Sequence, residues 1–391
     1  MKNILFGIDS VITQTDSLKK IRFGLVTNNA ATTSDGLLSR IALLQAGFTI
    51  TKLFSPEHGL SAKGKDGSHQ SSNIDSLTQL PVISLYGDHL MPVAGDMAAI
   101  DIVLFDIPDV GCRFYTYLWT MTYIMEACAL YNKPLIILDR PNPIGADIDK
   151  AAGPMLDERN CSSFTGRWNI PIRHSCTLGE LATYFAATRI KNLTLDVIKI
   201  QHWNRKQAVP EAGWSFVPTS PAIKDAETAL LYPGMGLLEG INVNEGRGTE
   251  STFKIAGAPW INAKQLHTAF NDLQLPGIKS VAVSYTPARG LYADEICYGL
   301  QFSVPDSNIF RSVETGLQLV QLITSLYPDQ CKERLYPTAA NPSGNKHLDK
   351  LTGVYQSFKK IKNGELLSTT LQQRDSIAIG WKETIRPYLL Y

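Results

Sequence analysis

The sequence predicts an α/β protein in two parts, a first half built on a mostly parallel sheet and a smaller second half of mixed α+β character. Three observations predict it. Short β-branched apolar runs alternate with helical stretches through the first half, an irregular segment at 203–221 interrupts that rhythm, and a different order of strands and helices follows. Strand–helix alternation makes each connection a crossover, which lays helices on both faces of a parallel sheet.

Taken in order, the apolar runs predict strands at 23–27, 52–55, 82–85, 102–105, 135–138 and 193–200. Helices fit between them at 34–45, 117–131 and 177–189. In the second of these, Leu118, Met121, Met125 and Cys128 are spaced as one apolar face. Residues 203–221 carry Trp203, Pro210, Trp214, Pro218 and Pro221 without periodicity, which places a boundary there and divides the chain into 1–205 and 206–391. The second part reads as a helix at 225–231, a Gly-rich loop through Gly248, and a helix at 263–273. Strands at 280–285 and 299–304, a long helix at 309–326 and terminal helices complete it.

Composition narrows the function. With 37 basic against 36 acidic residues, the chain has no electrostatic footprint for nucleic acid or an anionic membrane, so the expected partner is a small molecule. No apolar stretch approaches the roughly 18 residues of a spanning helix, and residues 1–10 read as the start of the fold. The expected compartment is cytoplasmic as the sequence stands, or periplasmic or extracellular if a signal has been removed. Six widely separated cysteines without a C-x-x-C pair read as reduced and mostly buried, and do not suit a zinc site. No G-x-G-x-x-G follows the first strand, and neither a phosphate-binding G-x-x-x-x-G-K-[ST] loop nor a G-x-S-x-G elbow occurs, so no cofactor is expected.

The chemistry collects where the strands end. In an open α/β sheet these ends line one crevice, and here they run into Asn28-Asn29, Pro56-Glu57-His58-Gly59, Tyr86-Gly87-Asp88, Asp106-Ile107-Pro108-Asp109-Val110-Gly111-Cys112-Arg113 and Asp139-Arg140-Pro141-Asn142. Read singly, Asn28 and Asp139 are equally well helix caps or Asx turns. Glu57 and His58 share a Pro–Gly turn, where both side chains can face one site, and a partly desolvated carboxyl there suits proton donation. Their alternative is a surface ion pair. Asp106 and Asp109 suit sugar hydroxyls, an arginine or a metal. Arg113, Arg140 and Arg247 are the natural clamps for an anion, or else structural partners of those aspartates.

From Ser55-Pro56-Glu57-His58-Gly59-Leu60 onward the chain resembles the exo-β-N-acetylmuramidase (NamZ-like) family, formerly a domain of unknown function. The likeness runs through Asp109-Val110-Gly111-Cys112-Arg113-Phe114-Tyr115-Thr116-Tyr117, Leu138-Asp139-Arg140-Pro141-Asn142-Pro143, Ile170-Pro171-Ile172-Arg173-His174 and Thr177-Leu178-Gly179-Glu180-Leu181. It resumes at Glu245-Gly246-Arg247-Gly248-Thr249, Gly257-Ala258-Pro259-Trp260 and Tyr388-Leu389-Leu390-Tyr391. The resemblance implies a Rossmann-like N-terminal domain, a smaller C-terminal domain that closes the cleft between them, and hydrolysis of terminal β-linked N-acetylmuramic acid without a nucleotide cofactor. Glu57 matches the family's catalytic glutamate and His58 its neighbour. Three positions depart from the family pattern: Ser175-Cys176 stand for Gly-Met, Ala222 for an Asn, and Ser61-Ala62 for Arg-Gly.

On this reading Glu57 protonates the leaving oxygen, with Glu245 as the first candidate for a second carboxylate and Asp109 as the next. The expected substrate contacts are Asn28, Asp106, Arg113, Tyr115, Tyr117, Asp139, Arg140, Asn142 and Arg247. Among these, Arg113 is favoured for the lactyl carboxylate because Phe114, Tyr115 and Tyr117 beside it can pack on a sugar face. Two rival classes are a metal-dependent hydrolase using His58, Asp106 and Asp109, and a non-catalytic two-lobed binder of cell-wall sugars.

Overall fold

The computed structural model describes residues 3–13, 20–69, 71–208 and 214–391; Met1 and the linker marker Pro210 lie outside them. Strands β1 (Arg22–Thr27), β2 (Thr49–Ser55), β3 (Asn73–Ile74), β4 (Pro81–Ser84), β5 (Ile102–Asp106), β6 (Leu135–Leu138) and β7 (Leu195–Ile198) form one sheet in the order β3-β4-β2-β1-β5-β6-β7. All six expected strands are present. Only the short β3, which the sequence did not announce, runs antiparallel to its neighbour. The parallel strands therefore lie third, second, first, fourth, fifth and sixth, and the order reverses between β1 and β5, where Thr27 and Asp106 are paired. Such a reversal opens a crevice beyond the carboxyl ends of the strands.

The central strands are apolar without alternation because helices cover both faces; in β1 every residue after Arg22 is buried. The helix Leu178–Thr188 starts where expected because Thr177 and Glu180 make a reciprocal capping box. Two helices differ from expectation. The first begins only at Ser39, because residues 33–37 form a turn with Gly36 at φ 95°. Tyr117–Leu130 is buried on nearly every side rather than along one face, since Phe164, Arg167, Trp168 and Phe185 pack over it.

Beyond the linker, β8 (Ile255–Ala258), β9 (Lys279–Tyr285) and β10 (Cys297–Ser303) make a small antiparallel sheet in the order β8-β10-β9. β8 was not expected. The helices Ala226–Met235 and Ser312–Leu326 touch backbone to backbone, where a Cβ on Gly316 would stand 2.2 Å from the carbonyl oxygen of Gly234. The first of them passes into a 3-10 turn, Gly236–Gly240, that carries Glu239 inward. One hydrophobic cluster includes Val26 and Phe54 of the large sheet together with Leu300 and Phe302 of the small one, so the halves share a core. Tyr391 ends the chain over the large sheet: its phenol donates to Asp139 at 2.7 Å and accepts from the Ile200 amide at 2.9 Å. Among the described residues no helix is long and apolar enough to cross a membrane.

Candidate active site

Glu57 stands just past the end of β2. The chain turns sharply there, with His58 and Gly59 both at φ 68° and the Gly59 amide returning to the Pro56 carbonyl. A left-handed backbone is rare for a non-glycine residue. Its effect is to turn Glu57 and His58 into the same cleft instead of to opposite faces. The Glu57 carboxylate is fixed by neutral donors, the Gly67 amide at 2.8 Å and the Thr116 hydroxyl at 2.7 Å. The Tyr86 phenol stands beside it; burial and the nearby carboxylate push that phenol upward, so it stays protonated. His58 Nδ1 lies 2.9 Å from the Gly64 carbonyl, which can only accept, so the proton sits there and Nε2 faces Asp66 at 3.8 Å.

The opposite wall comes from the second half. Glu239, Arg247, Phe253, Tyr336 and His347 line the same cleft. Arg247 is surrounded by carboxylates: it pairs with Asp66, with Glu239 at 2.6 Å and with Glu245 at 3.1 Å. His347, stacked on Tyr336, approaches the other oxygen of Glu239 at 3.8 Å. Burial alone would raise the Glu239 carboxyl, but Arg247 and His347 outweigh it and hold it down at about 2. Glu239 is therefore ionised at any working pH.

Of the expected site residues, the structure brings Glu57, His58, Tyr115 and Arg247 to the cleft. Tyr117 lies one layer beneath, edge-on to the His58 ring and donating to the Thr219 carbonyl, and Asn28 is buried at the end of β1 with its Oδ1 accepting from the Ala30 amide. The others need correction. Arg113 is fully buried and donates to the carbonyls of Pro154, Ile170 and Leu351 at 2.7 to 2.9 Å, so it is not a lactyl clamp. Arg140 and Asp106 form a bidentate pair. Asp139 accepts from Thr177, Gly179 and Tyr391, and Asn142 joins the Cys176 carbonyl to the Ile144 amide.

Glu245 is also buried, between Arg247 and Arg334, and does not line the cleft. Asp109 faces a neighbouring niche, with its Oδ2 bound to the Gly111 amide and near His174. The carboxylates that share the cleft with Glu57 are Asp66 and Glu239. In the sequence Glu239 heads the Gly-rich stretch that runs through Gly248, whereas Asp66 lies in a loop with no strand to mark it. The trio His58, Asp106 and Asp109 does not converge, and among the described residues no three His, Cys, Asp or Glu side chains group as a metal site.

Fold and cleft together define a two-lobed α/β protein with carboxylates from both lobes facing one cleft. The chain belongs to the family of the exo-β-N-acetylmuramidase NamZ: the family's N-terminal model matches residues 23–227 and its C-terminal model residues 230–391. It is 37% identical over 388 residues to the peptidoglycan β-N-acetylmuramidase NamZ of Bacillus subtilis (strain 168), covering 98% of this chain and 91% of that one. Two crystal structures of DUF1343 family proteins from Bacteroides fragilis NCTC 9343 share the fold. One has a TM-score of 0.86 at 29% identity, the other 0.75 at 25%, each covering 100% of this chain and 99% of the other.

Proposed function

We propose that this chain is an exo-acting glycoside hydrolase that releases terminal β-linked N-acetylmuramic acid from peptidoglycan fragments, with Glu57 as proton donor and Glu239 as the second carboxylate. Family membership supports the activity. The observation that supports the assignment is the contrast between two carboxylates in one cleft. Glu239 is locked ionised by Arg247 and His347, whereas Glu57 is held by neutral donors, the Gly67 amide and the Thr116 hydroxyl. Carboxylates in unequal surroundings divide the work of acid and charge stabiliser in glycosidases.

A sugar in the cleft lies between the lobes. Glu57 gives its proton to the leaving oxygen while Gly67, Thr116 and Tyr86 keep its carboxyl oriented and stabilise the carboxylate that forms. Glu239, fixed from the opposite lobe, stabilises positive charge at the anomeric carbon. Asp66 reaches across from the first lobe to pair with Arg247 and steady it.

The test is turnover of a chromogenic N-acetylmuramide by Glu57→Gln and Glu239→Gln. Both should lose activity while melting cooperatively; near-normal turnover by folded Glu57→Gln would overturn the assignment.

A further inference from the structure

Beside the cleft, and sharing Asp66, Ala222, Arg247 and Tyr336 with it, a second groove of about 450 Å³ opens to solvent. Its charge is one-sided. Lys63, Lys65, Arg289 and Arg334 line it together with Arg247, against the single carboxylate Asp66, in a chain whose total charges nearly cancel. Arg247 is already surrounded by three carboxylates, and Arg334 reaches Glu245 at 3.3 Å. Lys63, Lys65 and Arg289 are exposed and have no ion pair among the described residues. They are the cations still open to a ligand.

Both walls of this groove are built. Gly248, at φ 88°, is pressed against the turn that carries Arg289: a Cβ there would stand 2.3 Å from the Arg289 carbonyl oxygen, and the Ala288 amide donates to the Gly248 carbonyl. No side chain fits at that contact. On the other side the loop with Lys63 and Lys65 is tied to His58 twice, through the Gly64 amide and through the Gly64 carbonyl. The turn that aims Glu57 into the cleft thus also sets the two lysines at its mouth.

Resting on the muramidase reading of the cleft, we infer that the groove is an anion subsite: Lys63, Lys65 and Arg289 receive the carboxylates of a substituent on the sugar bound beside Glu57. N-acetylmuramic acid differs from N-acetylglucosamine by a lactyl ether ending in a carboxylate, and an acidic peptide built on that ether brings further carboxylates. Either source presents the same chemistry. Arg113 and Arg140, the other arginines near the strand ends, are closed off by protein partners. The groove is also too roomy for one carboxylate alone, which suits a longer acidic substituent.

Calorimetric binding tests this without turnover, so it fails or holds independently of the role of Glu57. N-acetylmuramic acid, N-acetylglucosamine and N-acetylmuramyl-L-alanyl-D-isoglutamine are titrated into the wild-type protein, the Lys65→Gln/Arg289→Met double variant and Arg289→Lys. The wild type should prefer both acids over the neutral sugar. The double variant should bind the acids roughly 10-fold more weakly, the scale of one charge-assisted contact, with affinity for N-acetylglucosamine unchanged and partial rescue by Arg289→Lys. A larger loss for the peptide conjugate identifies the peptide as the natural occupant, and equal losses identify the lactyl group; both support the subsite. Absence of any preference for the acids in the wild type overturns the inference, as do equal losses for charged and neutral sugars or no change in either.

Discussion

Two polar clusters lie on the same edge of the large sheet, and they differ in whether the protein itself completes them. Past β5 and β6, Asp106 and Arg140 face each other with two hydrogen bonds, and the guanidinium also reaches the Thr32 carbonyl and the Ser39 hydroxyl. Asp139 beside them accepts from four donors. Past β2, Glu57 and His58 look into an open cleft, and the arginine opposite is flanked by more carboxylates than it can neutralise. The first set meets most of its charge within the protein, and the second ends at the cleft. Residue type alone does not separate the two.

Substitutions on either side of that divide should sharpen it. The largest effect is expected at Glu57→Gln, where removal of the proton donor should lower kcat by roughly 10²- to 10⁴-fold with little change in melting temperature, by steady-state kinetics and calorimetry. Arg140→Met should do the reverse. It leaves Asp106 buried and unpaired, which costs about 3–5 kcal/mol in denaturant unfolding, while the folded fraction keeps near-normal turnover. An active-site defect without destabilisation in Arg140→Met would erase the distinction.

Glu239 belongs to both categories, and pH separates its parts. Its carboxyl is held below the ordinary value of 4.5, at about 2, because Arg247 and His347 outweigh burial. A depressed carboxyl contributes stability that is fully present above 4.5 and is lost as pH falls toward 2. Glu239→Gln should therefore flatten the fall in unfolding free energy across that acid window, measured as denaturation midpoint against pH. A variant that keeps the wild-type slope would show that the Glu239 ion pair does not contribute to stability. The smallest effect is expected at Tyr391→Phe, which removes one buried donor to Asp139 and should cost about 1 kcal/mol without altering kinetics.

Much of this was legible in the chain. The β-branched runs located every long strand of the large sheet, and the Pro56–Gly59 turn singled out Glu57 and His58, because both signals are local. β8 escaped notice because Ile255-Ala256-Gly257-Ala258 has little strand preference of its own and forms by pairing with β10. Arg113 misled for a related reason. An arginine after a glycine turn looks like an anion clamp, and one of the three carbonyls that occupy it, Leu351, lies 238 residues away. Glu245 and Glu239 are six residues apart in one Gly-rich stretch. Only the 3-10 turn at Gly236–Gly240, set by the helix before it, decides which of them enters the cleft.

That same Arg113 governs how the enzyme can move. Its guanidinium, lowered to about 10 by burial yet still charged, joins two carbonyls of the first half to Leu351 in the helix His347–Thr352, whose first residue lines the cleft. Swinging the lobes apart like a clamshell would strip a buried cation of its acceptors, at a cost of several kcal/mol. The back of the cleft is thereby tied across both halves, while beside it the loops bearing Lys63 and Arg289 stand exposed.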